Sequence, residues 1–181
     1  RKTLVYYWRE PAAYPVRAAE LLVMGLFIGT VFFRLKHRTD WMLELTGAFF
    51  FEIWCLLFST MAAAPVYVRV RRQVLQEVLA GAYPMWMSSA AQGVASLLFN
   101  GVIALGFQAV VHFLVHFGDS ASVFGYLVLL AWQLLLLMEG LCLMVCEVLK
   151  HDVLAVTFTM LSMGFFVLYA GFFVQVEDMP P

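Results

Sequence analysis

Charge is scarce in this chain. Asp, Glu, Lys and Arg make up 13% of 181 residues, where a soluble globular domain carries about 25%. The formal net charge is -1, so composition offers no case for a nucleic-acid partner. Only three cysteines occur, Cys55, Cys142 and Cys146, an odd number without CxxC spacing, each inside an apolar run. They read as buried thiols rather than a disulfide framework or a zinc site. None of the three lysines, Lys2, Lys36 and Lys150, follows a glycine. A phosphate loop of the GxxxxGK[ST] type is therefore missing, as are GxSxG and HExxH. The chain by itself is not expected to hydrolyse ATP, and no catalytic residue, metal ligand or cofactor of its own is assigned. It starts at Arg1, stops at Pro180-Pro181 and reads as an excerpt, and its N-terminal 17 residues lack the apolar core of a signal peptide.

What is abundant is apolar length. Hydrophobic residues make up 64% of the chain and mean hydropathy is +0.88, which places it in the membrane class. A spanning helix needs about 20 mostly apolar residues. Five stretches meet or approach that length: Ala18 to Leu35, Glu44 to Val68, Met85 to Phe117, Val123 to Val148 and Val153 to Val176. The fold class predicted is all-α, a polytopic transmembrane bundle forming one domain over residues 1–181. The third stretch would make about 50 Å of helix, so a tilt or a break near Gly101 or Gly106 is expected. Asp152 is a candidate N-cap for the fifth. With the N-terminus inside, 8 of the 11 basic residues, Arg17 among them, fall on the cytoplasmic side. The positive-inside rule therefore favours a cytoplasmic N-terminus.

Several polar residues interrupt the apolar runs. His112 and His116 share a helix face, but no third ligand completes a metal set, and both read as interfacial. Glu20, Glu52 and Glu139 lie within spans, where a carboxylate is expensive and faces protein or water. They could form a proton relay, or each could be a hydrogen-bonded group between helices. Phe49, Phe50, Phe51, Trp54 and Phe58 crowd the second stretch, and Met160, Met163, Phe165, Phe166 and Tyr169 the fifth. Such side chains make adaptable surfaces for flat apolar ligands. "RVRRQVLQEVLAGAY", Arg69 to Tyr83, predicts a short amphipathic helix. Val70, Val74, Leu75, Val78 and Leu79 cover one half, Arg69, Arg72, Gln73, Gln76 and Glu77 the other, and Gly81 signals a C-cap. Arg71 falls on the apolar arc, so a carboxylate or helix-end carbonyls elsewhere should pair with it.

"YWREPAAYPVRAAELLVMGLFIGTVFF" resembles the start of the membrane domain in ABC exporters of the G subfamily, the white and pleiotropic-drug-resistance transporters. Tyr7, Trp8, Arg9, Pro11, Arg17, Gly25, Gly29, Thr30 and Phe32 carry that resemblance. Arg71, Glu77, Gly81 and Tyr83 match a second family signature, and Gly171, Phe172, Phe173 and Pro180 a third. The departures are Val70 and Gln76 in the second signature, and the lack of a glutamate-to-proline pattern around Ser96 to Leu98.

The resemblance implies a half-transporter domain of six helices, five of them in this chain, preceded by an amphipathic connecting helix over residues 1–17. It implies a coupling segment over residues 69–83, in which Arg71, Glu77, Gly81 and Tyr83 contact a nucleotide-binding domain of the same polypeptide, where ATP and Mg would bind. Phe58, with Trp54, Met163 and Val167, would line a substrate cavity shared with a second membrane half. Gly171, Phe172 and Phe173 would form an apolar gate. The function implied is ATP-driven export of lipids, sterols or xenobiotics, from a multi-pass protein of a eukaryotic plasma membrane. A membrane enzyme built on His112, His116 and a carboxylate, or a non-transporting membrane subunit, are the alternatives.

Overall fold

A computed structural model describes residues 14–33, 41–117, 121–149 and 151–168, and the elements within them are helices. The first, α1 (Pro15–Val31), opens on a proline, whose missing N–H falls where the helix needs no donor. Next come α2 (Trp41–Ser59), a 3₁₀ turn (Thr60–Ala63) and α3 (Ala64–Leu79). The chain closes with α4 (Met85–Val115), α5 (Ala121–Val148) and α6 (Asp152–Leu168). The all-α expectation holds.

Helix continuity adds two details. The stretch from Glu44 to Val68 lies within one candidate span, Glu44–Leu79, in which a 3₁₀ turn at Thr60–Ala63 interrupts the α-helix. Pro65 has no N–H to give the carbonyl four residues back, and Met61 O is instead bonded by Ala64 N–H. Of the two alternatives for the third stretch, a tilted, projecting helix or a break near Gly101 or Gly106, the break is absent, and α4 runs unbroken for 31 residues. Both glycines serve packing instead: Gly101 lies against the Trp132 indole and Gly106 against Leu22. Trp132 Nε1 donates to Leu97 O at 3.1 Å, fastening α5 to α4 beside that contact. Asp152 is the first residue of α6 rather than its cap, since His151 O accepts the first helical bond, from Ala155 N–H at 3.0 Å.

Three stretches are long and apolar enough to cross a membrane: Glu44–Leu79, Met85–Val115 and Ala121–Val148. Large apolar side chains such as Val102, Phe113, Leu137 and Met144 point outward from them, as a lipid-facing surface requires and a water-facing one rarely shows. Within the described residues α1 and α6 have 17 residues each, about 26 Å of helix.

The centre of the bundle is α4, packed on one side against α1 and on the other against α5. The α1 contact is built on small residues. A Cβ at Gly25 would lie 3.3 Å from Phe107, and one at Gly29 would lie 2.6 Å from Leu114. In lipid, where apolar burial gives little drive for association, close backbone approach of this kind supplies the packing energy. Leu21, Ile28, Ala104, Phe107, Val111 and Leu135 form the heart of the core, and a second cluster gathers Leu57, Met61, Met138, Met163 and Val167.

Candidate functional site

A cavity of about 410 Å³ opens where α2, α5 and α6 meet. Positions one helical turn apart on α2, Phe50, Ile53, Trp54 and Leu57, make one wall; Leu134, Leu137 and Met138 of α5 and Phe166 and Val167 of α6 make the others. Phe58 stacks on Trp54 with ring centroids 4.7 Å apart. Of the four expected cavity residues, Trp54 and Val167 line the space, Phe58 backs Trp54, and Met163 lies fully buried in the cluster beneath. The α5 wall escaped sequence reasoning, because Leu134 and Leu137 sit in a leucine run that has no distinguishing pattern. Gly171, Phe172 and Phe173, the expected gate, lie outside the described residues, as does the connecting helix before Tyr14.

Beside this apolar space stands a polar core. Arg17 is 0% exposed and pairs with Glu139, 1% exposed, at 2.9 Å. Glu139 Oε1 also accepts from the Tyr14 hydroxyl at 2.7 Å and from the Ser96 hydroxyl, and Oε2 accepts from Asn100 Nδ2 at 2.7 Å. The second guanidinium nitrogen of Arg17 reaches Asn100 Oδ1 at 3.2 Å and Thr60 Oγ1 at 3.4 Å. Ser96 and Asn100 are four apart on α4, so both project to the same face. The network thereby ties α1, the 3₁₀ turn, α4 and α5 together at one point. Arg17 is therefore not one of the eight interfacial cations counted from sequence, and Glu139 is not an isolated carboxylate. A buried ion pair survives only with such geometry, because desolvating two charges costs several kcal/mol each.

The coupling segment divides into two units. On α3, Val70, Arg71, Val74 and Val78 form the half-buried face, whereas Leu75 and Leu79, expected with them, are exposed. Arg71 finds the carboxylate that its apolar position demanded: its Nε lies 2.6 Å from Glu147 Oε2 on α5. Sequence reasoning had not singled out Glu147. Glu77, Gly81 and Tyr83 form the second unit. The Tyr83 hydroxyl donates to Glu77 Oε2 at 2.6 Å, and that bond raises the hydroxyl above the usual tyrosine range. Gly81 takes φ +76°, with Gly81 N–H bonding Val78 O and Ala82 N–H bonding Glu77 O, both at 3.0 Å. This is the paired-bond helix end that favours glycine. Gly81→Ala is expected to cost about 1 kcal/mol locally, since a Cβ is strained at positive φ. Amide exchange over residues 77–83 should speed up in that variant and stay near the parental rate in Gly81→Asn.

The two histidines do not converge on a ligand. His112 is buried against Phe124 at 5.2 Å between centroids, not interfacial as expected, whereas His116 is exposed and ends α4 at φ +65°. Among the described residues no group of three His, Cys, Asp or Glu could hold a metal ion. Cys142 and Cys146 are buried, as expected, and Cys55 is half-buried.

A helical bundle with a lipid-facing apolar surface, an apolar side cavity and a buried ion-pair network defines a polytopic membrane domain. More particularly, the chain belongs to the ABC-2 type transporter family, whose profile matches residues 1–181. It is 30% identical over 173 residues to ABC transporter G family member 23 of Arabidopsis thaliana, covering 96% of this chain and 28% of that protein. It is 26% identical over 163 residues to G family member 8 of the same plant, covering 90% and 28%. G family member 5 of Oryza sativa subsp. japonica is 24% identical over 183 residues, covering 99% and 23%. The chain thus spans about a quarter of the length of the curated relatives it matches.

Proposed function

We propose that this chain is the substrate-translocating membrane domain of an ATP-driven exporter of hydrophobic molecules. The observation that carries the reading is the cavity of about 410 Å³ walled by Phe50, Trp54, Leu137, Met138 and Phe166. Its size falls in the range of small-molecule sites, and its walls suit flat apolar cargo. Phe51, Trp54, Leu137 and Phe166 are exposed around it, and a second membrane half, identical or not, covers that surface and closes the cavity. Gly171, Phe172 and Phe173 form an apolar gate, which stops polar leakage.

The motor is a nucleotide-binding domain in the same polypeptide. ATP and Mg belong to it, because this chain has no glycine-lysine phosphate loop to cradle them. Its motion enters at residues 69–83, the cytoplasmic coupling segment, where the turn closed by Glu77, Gly81 and Tyr83 receives the push. The Arg71–Glu147 pair passes that push to α5, which carries both Glu139 and the cavity wall. The N-terminus is cytoplasmic and the protein resides in a eukaryotic plasma membrane.

The test is a cavity substitution in the full-length protein. Trp54→Ala, and Phe58→Ala behind it, should lower export of a flat apolar dye about tenfold, the effect of losing 1.4 kcal/mol of binding, while leaving surface expression within about twofold. Parallel losses of export and expression would assign both rings to packing instead.

A further inference from the structure

The buried face of α2 carries one carboxylate whose environment differs from that of Glu139. Glu52 is 5% exposed, and its Oε2 has no hydrogen-bond partner among the described residues. The polar side chain set against it is Gln108 of α4, fully buried, its amide within reach of the carboxylate. One turn further along α4, His112 Nδ1 is likewise buried and unpaired. Phe49, three residues before Glu52, stacks at 4.8 Å on Phe117, just beyond the end of α4, and Phe117 lies beside the His112 ring at 6.4 Å.

Buried polar groups without partners are destabilising, and an ionised carboxylate without a cation is more so inside a membrane. Among the described residues, the neighbouring elements bring Glu52 no counter-charge. From α1 comes Glu20, which with Glu52 brackets the Cys55 thiol. From α4 comes His112, and on α5 Glu139 is already held by Arg17. In α6 no titratable group follows Asp152. A proton on Glu52 resolves the arrangement. The acid O–H can then donate to Gln108 Oε1, and Gln108 Nε2 can donate back to the Glu52 carbonyl oxygen.

We propose that Glu52 and Gln108 form a proton-binding site inside the membrane-spanning part of the protein. Its position gives it an effect. Glu52 meets Gln108 of α4, whereas its neighbours on α2, Phe49, Phe50, Ile53 and Trp54, line the cavity. Loss of the proton leaves a charge beside Gln108, draws water to it and displaces the helix that carries the aromatic wall. Transport therefore requires the protonated form and declines as pH rises. Only this last consequence rests on the exporter reading.

The test uses the full-length protein in phosphatidylcholine vesicles, titrated from about pH 5 to about pH 9 with equal pH on both sides. Infrared difference spectra should show a carboxylic-acid carbonyl band that disappears as pH rises and is missing in Glu52→Gln. In Gln108→Leu, which removes the amide partner, the band should move in frequency. Export of the dye should fall about tenfold per pH unit beyond the midpoint and become flat with pH in Glu52→Gln. Absence of the band in the parental protein, or its persistence in Glu52→Gln, would overturn the proton site whether or not the protein exports anything. If Glu52→Gln does not insert, an unmoved band in Gln108→Leu overturns it. A band that behaves as expected, with no dye export at any pH, would keep the site and reject the exporter reading.

Discussion

Arg17→Met is expected to destabilise the membrane domain by about 3–5 kcal/mol, because it leaves Glu139 as a buried charge without its cation. The three neutral donors that remain, from Tyr14, Ser96 and Asn100, do not replace a full positive charge at 2.9 Å. The measurement is thermal unfolding of the full-length protein in detergent, read as a fall in Tm. The informative control is the double variant Arg17→Met with Glu139→Leu, in which neither charge is buried. It should recover at least half of the loss, since apolar replacement of a whole buried pair is often close to neutral. A double variant no better than the single one would mean that Arg17 matters for its shape and for its bonds to Asn100 and Thr60, not for pairing.

The second large effect is expected at Gly29. A leucine there must put its Cβ 2.6 Å from Leu114 Cβ, a contact that only a shift of α1 relative to α4 can relieve. Overpacking of this kind costs about 1–3 kcal/mol, and displacement of α1 also disturbs Arg17, three turns earlier on the same helix. Gly25 offers a graded comparison, because its added Cβ would stand 3.3 Å from the edge of the Phe107 ring. Gly29→Ala should therefore lower Tm more than Gly25→Ala. Combining Gly29→Leu with Leu114→Gly, which removes the facing Cβ, should restore part of the loss, and no restoration would place the cost within α1 rather than at its contact with α4.

Both effects involve residues that the sequence exposed only in part. Gly25 and Gly29 were visible only as positions of the family resemblance, and the partner helix is what assigns them different tolerances. Arg17 looks like one more basic residue near a membrane edge, and Glu139 like one more carboxylate within a span. Their sequence separation of 122 residues hides the pairing, since ion pairs leave no periodic trace. The same holds for Arg71 and Glu147, 76 residues apart, although the apolar arc around Arg71 did demand some partner. Glu77, Gly81 and Tyr83 were legible for the opposite reason: they lie within one turn, and a helix end at positive φ is a local property.

The length and purity of the apolar runs determine by themselves that this is an all-α membrane domain, because in lipid a chain must satisfy its backbone hydrogen bonds within each span. Local geometry likewise determines the helix end at Gly81. It does not determine which way a uniformly apolar helix faces, since every side of it is compatible with lipid, and so the α5 wall of the cavity was invisible in a run of leucines. Nor does it decide the fate of a buried charge. Glu52 and Glu139 are the same residue in similar apolar surroundings along the chain. Only the packing of α1 and α4 around α5 brings Arg17 and Asn100, the single asparagine of the sequence, to Glu139, while Glu52 meets the amide of Gln108. Charges in low dielectric are governed by what lies within a few ångströms in space, and that is set by the tertiary fold.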